Sequence, residues 1–176
     1  MQNEVMSVEL NSKSFLFRLS PTGTSEQWGL KYYDPDCGEY KLVSEDAQLN
    51  VEFDLGDIPG ISDNARRALI SKQQAVFIVE MEECTAGDWR FWQNGISLSS
   101  EQDAQDYNLT AEVQSSGKTL VLTIDNVLRN AALPGDMFET IDFRFVAVRL
   151  NNSAGQLNEI FYSQDPRVGV RRNKPG

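Results

Sequence analysis

Gln48-Leu49-Asn50-Val51-Glu52-Phe53-Asp54 alternates strictly between polar and apolar side chains. Successive side chains on a β-strand project to opposite faces, so Leu49, Val51 and Phe53 share one face while Gln48, Asn50, Glu52 and Asp54 share the other. The same period of two runs through Tyr107-Asn108-Leu109-Thr110-Ala111-Glu112-Val113 and Phe15-Leu16-Phe17-Arg18-Leu19, and through Met6, Val8 and Leu10. Ala75-Val76-Phe77-Ile78-Val79 is apolar on both faces and reads as a strand covered on both sides. Ile141–Val148 is the second candidate for a central strand.

Turn chemistry ties these segments to their neighbours. Asn94-Gly95, between Trp89–Gln93 and Ile96–Leu98, predicts a two-residue hairpin, because both residues tolerate positive φ. Ser115-Ser116-Gly117 predicts a second hairpin, joining Tyr107–Val113 to Thr119–Ile124. Asn151–Gly155 predicts a third, joining Phe143–Leu150 to Leu157–Tyr162. Helix is scarce. Ser62 or Asp63 caps a short one through Ile70, and Asp125–Asn130 has room for one turn before Pro134-Gly135. Neither is long enough to cover a sheet, so two sheets must cover each other or one must close on itself. The expected fold is all-β: an antiparallel, immunoglobulin-like β-sandwich with one or two short helical turns, and a barrel as second choice. Residues 1–176 read as one domain, Arg167–Arg172 as a last, charged edge strand, and 173–176 as a frayed tail.

The charge balance narrows the partners. Sixteen Lys and Arg against 26 Asp and Glu leave a net charge of −10, which repels phosphate backbones and anionic lipids. Nucleic acid and membrane are excluded as expected partners. No apolar run is long enough to span a bilayer, and no signal peptide is read after Met1, so the expectation is a soluble cytoplasmic protein. Cys37 and Cys84, without CxxC or ligand spacing, read as two unpaired thiols in a reducing compartment. Histidine is absent, which removes Ser-His-Asp and Cys-His nucleophilic machinery and the common zinc, copper and non-haem iron ligand sets. Neither GxGxxG nor GxxxxGK occurs, and no cofactor is expected.

Three features are candidates for chemistry. Asp34-Pro35-Asp36 alternates carboxylates, and Glu45 follows at the spacing of an EF-hand's last ligand, so Asp34, Asp36 and Glu45 form a candidate metal set. Glu39 stands where the loop needs glycine, however, and an acidic turn between two strands is the simpler reading. Trp89-Arg90-Phe91-Trp92 is the densest aromatic cluster. On a strand, Trp89 and Phe91 take one face and Arg90 and Trp92 the other, so one aromatic set is open to stack on a sugar or anchor a protein, or is packed under a loop. The carboxylate pairs Glu80 with Glu82, Glu82 with Glu83, and Glu101 with Asp103 are neighbours along the chain. Glycoside hydrolysis needs two carboxylates opposed across a cleft, which such neighbours do not supply.

Phe161-Tyr162-Ser163-Gln164-Asp165-Pro166-Arg167-Val168-Gly169-Val170, taken with Tyr33-Asp34-Pro35 and Gly38-Glu39-Tyr40-Lys41-Leu42, resembles the small bacterial DP-EP family. More distantly, the closing Asp-Pro strand resembles the PixA-type inclusion-body proteins. No Glu-Pro dipeptide occurs in this chain. The resemblance implies an immunoglobulin-like β-sandwich of unassigned function and no active-site residues. The leading expectation is therefore a non-enzymatic protein acting by contact with a protein partner or with its own copies as a homo-oligomer. A carbohydrate-binding module using Trp89 or Trp92 is the alternative, and a carboxylate-based hydrolase the third reading.

Overall fold

The computed structural model describes residues 5–8, 13–23, 27–43, 48–53, 59–82, 88–98, 109–114, 116–125, 139–150, 158–164 and 167–172. Among them run β1 (Val5–Val8), β2 (Lys13–Ser20), β3 (Gly29–Asp34), β4 (Glu39–Leu42), β5 (Gln48–Phe53), α1 (Asp63–Ile70), β6 (Gln74–Met81) and β7 (Asp88–Leu98). β8 (Leu109–Val113), β9 (Thr119–Asp125), β10 (Glu139–Leu150), β11 (Glu159–Tyr162) and β12 (Arg167–Arg172) complete the order. They form two sheets. The first is ordered β1-β5-β12-β10-β11 with β7 on the remaining side of β10, and the second is β4-β3-β2-β6-β9-β8. The sheets are not closed into a barrel, and the all-β sandwich expected from the alternation is what the strands build.

The alternation does the packing. Phe17 and Leu19 of β2, Ala75, Phe77 and Val79 of β6, and Leu120, Leu122 and Ile124 of β9 point inward from the second sheet. Val51 and Phe53 of β5, Trp89, Phe91 and Ile96 of β7, and Phe143, Phe145 and Ala147 of β10 meet them from the first. Each such side chain, fully removed from water, contributes about 1.5–3 kcal/mol, which is what holds the two sheets together. β6, expected to be covered on both sides, is buried on its inner face and half-buried on its outer one.

The sheets are mixed, not wholly antiparallel as the sequence suggested: β1–β5, β5–β12 and β2–β6 pair in parallel. The cause is the order in which the chain changes sheets. It leaves the first sheet after β1, returns for β5, and crosses again through α1 to β6. Each crossing delivers a strand beside one to which it has no hairpin link, so a parallel pairing is free to form. β12 is likewise not an edge strand: β5 flanks it on one side and β10 on the other. Asn50, expected on a polar face, is buried, on a β5 that lies between β1 and β12.

Local capping follows the sequence where it was explicit. Ser62 accepts the Ala65 N–H at 3.2 Å and starts α1. β8 and β9 pair across the Ser116-Gly117 turn, with Gly117 at φ 73°, and β10 and β11 pair from Val146–Tyr162 to Arg149–Glu159. Of the helical turn expected at Asp125–Asn130, Asp125 ends β9 and 126–130 lie outside the described residues, as do the loop 151–157 and the tail 173–176.

Asn94-Gly95 departs from its expected role. It is not a hairpin turn, because β7 continues through it and pairs with β10 on both sides. Ile96 faces Phe145 and Phe91 faces Ala147, so Trp92-Gln93-Asn94-Gly95 stand opposite Val146 alone. The positive φ values fall on Gln93 (54°) and Gly95 (83°). This is a large β-bulge, which uses the same glycine freedom that a tight turn would use.

Candidate functional site

The bulge separates the fates of the two candidate tryptophans. Trp89 is 2% exposed, against Trp28 at 6.1 Å and Phe161 at 5.1 Å between ring centroids, with the Arg149 guanidinium 5.6 Å from its ring. It is a core residue with no face left for a ligand. Trp92, on the opposite face of the same strand, is 39% exposed. Each backbone neighbour of the bulge is held: the Phe91 N–H donates to the Gly117 carbonyl at 2.8 Å, and Lys118 Nζ donates to the Trp89 carbonyl at 2.8 Å and to Asp88 at 2.7 Å. The β8–β9 turn thus braces the stretch that presents Trp92.

Pairing register places Trp92 in a row. Val146 pairs with Tyr162, and Trp92 follows the partner of Ala147, so Trp92, Val146 and Tyr162 lie side by side across three strands. The next row is Arg90, Val148 and Ile160. Arg144 and Ser97 pair on the far side of the Trp92 row. All of these project from the outer face, since Phe145, Ala147 and Phe91 face the core. Val146 and Val148 are buried even so, while Tyr162 is 56% and Ile160 44% exposed. Two valines out of water thus stand in register beside aromatic and aliphatic side chains that are left in it. A shallow pocket of about 340 Å³ opens beside them, lined among the described residues by Ser97, Leu98, Arg144 and Tyr162.

Charged side chains border this face. Arg90 and Lys118 share Asp88, at 3.3 and 2.7 Å, and Arg144 adds a further positive charge. The two cations beside Asp88, Lys118 foremost, hold its carboxyl below the usual range.

The other candidates fall elsewhere. Asp34 is bound to the Lys41 ammonium and accepts the Asp36 N–H at 2.9 Å, an arrangement that closes the β3–β4 turn. The Lys41 contact, more than the Asp36 N–H, lowers the Asp34 pKa. Glu45 lies outside the described residues, as do Glu83, Glu101, Asp103 and Cys84. Among the described residues no group of three potential ligands is poised to hold a metal. Glu82 is engaged by the Ser20 hydroxyl and by Lys31 at 2.9 Å, both of which lower its pKa, and Glu80 is exposed on the adjacent strand position. Cys37 is an exposed free thiol in the β3–β4 turn.

The sequence reading missed Tyr162, Ile160, Arg144, Val146 and Val148 as parts of one surface. The signal was present in Phe145–Val148: an uninterrupted apolar run in a strand whose outer neighbours, Ile160 and Tyr162, are also apolar. What periodicity could not supply was the register that sets them beside Trp92.

A family model matches residues 10–172, described as the DP-EP family. The chain belongs to the DP-EP family. The match extends the likeness from the two Asp-Pro segments to most of the sequence, and it carries no link to the PixA-type proteins. No curated protein and no solved structure matches the chain. No helix among the described residues of this DP-EP protein is long and apolar enough to cross a membrane.

Proposed function

We propose that this DP-EP protein is a non-enzymatic binding module of one domain, working in a reducing cytoplasm, and that it acts by protein contact through the outer face of β7, β10 and β11. The observation that carries the reading is the row Trp92–Val146–Tyr162 with Ile160 beside it. Among the described residues, three of the five exposed large apolar side chains gather on this one face, around buried valines. Aromatic side chains and arginine surrounding a dry centre are the composition of contact hot spots.

A photo-crosslinking side chain at position 162, in cells that make the protein, tests this. Discrete polypeptide adducts are expected, and Trp92→Ala should remove them. No adducts from position 162, or adducts that form equally from the exposed Thr110 on the other sheet, overturn the reading.

The carbohydrate alternative rests on one observation, the exposed Trp92 ring beside the Arg144–Tyr162 pocket. Trp28 and Trp89 are buried, so a sugar-dependent change in tryptophan emission would report on Trp92. A saturable change with any member of a glycan panel, lost in Trp92→Phe, would move the assignment to that class.

A further inference from the structure

Asn94-Gly95 carries chemistry of its own besides a backbone conformation. Of the chain's asparagines, Asn94 alone is followed by glycine. An asparagine carboxamide reaches the backbone nitrogens that follow it, and a glycine next in the chain has no Cβ to obstruct attack by its nitrogen on the amide carbon. The reaction is intramolecular, so positioning and backbone freedom set its rate. Ladder hydrogen bonds that hold a strand extended oppose the ring closure. Asn50 is held in this way, buried on β5 between Val5 and Gly169. Asn94 is not. The registered pairs of β7 with β10 stop at Phe91–Ala147 and resume at Ile96–Phe145, so Asn94 and Gly95 fall in the interval. The Asn94 side chain is exposed, and among the described residues it takes part in no hydrogen bond or ion pair. Gly95, at φ 83° with Leu120 and Val113 where a Cβ would go, is the residue this backbone requires, so the bulge keeps the reactive dipeptide in place.

We infer that Asn94-Gly95 is a self-modifying site of the folded protein, which converts through a cyclic imide to an aspartyl or iso-aspartyl linkage. The Gly95 nitrogen attacks Asn94 Cγ. The N–Cγ bond forms, the Cγ–Nδ2 bond breaks, and the proton lost by Gly95 leaves with the amide nitrogen as ammonia. Water then opens the imide. Cleavage at Cγ restores a normal backbone with an aspartate at position 94. Cleavage at the original main-chain carbonyl leaves the chain running through Cγ, one carbon longer. Nothing is oxidised or reduced, and water is the only co-reactant. Either product sets a new carboxylate two residues from Trp92. The iso-aspartyl product also adds a main-chain atom between Phe91 and Ile96, whose buried side chains fix the two ends of the bulge. The same bulge presents Trp92, so conversion weakens the β7–β10–β11 face as the protein ages. That consequence, unlike the modification itself, rests on the contact reading above.

Timed incubation of purified protein at neutral pH tests this, with a parallel sample unfolded in urea. Peptide mass mapping and enzymatic methylation of iso-aspartyl groups locate and count the product. The folded protein is expected to convert at position 94 more slowly than the urea sample, because Gly95 is buried. The rates should still lie within about tenfold of each other, because opening a stretch without ladder partners costs little. Asn94→Gln puts the carboxamide one carbon farther out, so the five-membered ring cannot form and the product should be lost. Conversion in urea alone overturns the inference, since the bulge would then lock the dipeptide. Product that persists in Asn94→Gln overturns it as well, by placing the reactive amide elsewhere. Photo-crosslinking from position 162 in cell extract reads the consequence: adducts should decline as the wild type ages and hold steady in Asn94→Gln. Adducts undiminished after full conversion overturn the effect on the face. Their absence from fresh protein overturns the contact reading and leaves the modification standing.

Discussion

Gly95→Ala probes the bulge directly. Gly95 has φ 83°, and a Cβ there would stand 2.8 Å from Leu120 Cδ1 and 3.2 Å from Val113 Cγ2. The left-handed backbone costs a residue with a Cβ about 1–2 kcal/mol. Moving Leu120, fully buried in the core, costs about 1–3 kcal/mol more. The stiffer unfolded chain returns about 0.4–1 kcal/mol. The net expectation is a loss of about 2–4 kcal/mol in urea unfolding followed by circular dichroism. The two contributions separate in a double-mutant cycle with Leu120→Val, which deletes both clashing δ carbons. In that background, Gly95→Ala should cost only the backbone share less the same unfolded-chain gain, about 0.5–1.5 kcal/mol. Were Asn94-Gly95 a hairpin tip, Gly95 would stand clear of Leu120, and the cost would be the same in both backgrounds. Equal costs, or a loss under about 0.5 kcal/mol, refute the bulge.

Two further predictions concern what holds the sheets. Ser163 accepts the Phe145 N–H at 2.8 Å with its hydroxyl and donates to the Gln164 carbonyl at 2.7 Å, stitching the break between β11 and β12 to β10. Ser163→Ala strands a buried N–H and should cost about 1–3 kcal/mol in thermal unfolding, and an unchanged melting temperature would remove the stitch from the account. Glu82, engaged by Ser20 and then Lys31, and Asp88, engaged by Lys118 and then Arg90, have pKa values lowered by folding. A lowered folded pKa gives stability that is present above the unfolded value and lost as pH falls through the folded one. Melting temperature should therefore drop as pH falls below the ordinary values of 4.5 for Glu82 and 3.8 for Asp88, and Glu82→Gln should flatten the upper part of that fall. A melting temperature that rises through this window contradicts the assignment.

How far the sequence could be read depended on whether the physics was local. Alternation in Leu49–Phe53 and Leu120–Ile124 is a property of each strand alone, so the inward faces and the two-sheet core were legible. The Ser62 cap and the Ser116-Gly117 turn were legible for the same reason. Parallel pairing of β2 with β6, and of β12 with β5, depends on where the chain goes between strands, which no short pattern records. Asn94-Gly95 shows a subtler limit. The dipeptide reports that the backbone can take positive φ, and both a hairpin and a bulge use that freedom; the choice is made by β10, which pairs with both halves of β7. The candidate site inherits this ambiguity. Trp89 and Trp92 are equivalent as sequence, and only the register against β10 and β11 makes one a core residue and the other a surface one.

The bulge and the exposed face are connected by geometry. A regular β7 would carry one register along β10, and its outward side chains would alternate evenly with the inward ones. Inserting Gln93–Gly95 opposite Val146 shifts the register and leaves Trp92 as the last outward residue before the chain swings toward Leu120 and Val113. Trp92 is thereby fixed at the margin of the Val146–Tyr162 row, with its backbone neighbour Phe91 anchored to Gly117. A rigid strand holds the ring, so docking against it immobilises less side-chain freedom than a ring on a loop would lose. Covering Trp92, Tyr162 and Ile160 would release apolar surface worth about 25 cal/mol per Å². That favourable burial, on a scaffold already ordered, supports the proposed contact through this face over one at the β3–β4 turn, where Lys41 already answers the Asp34 charge.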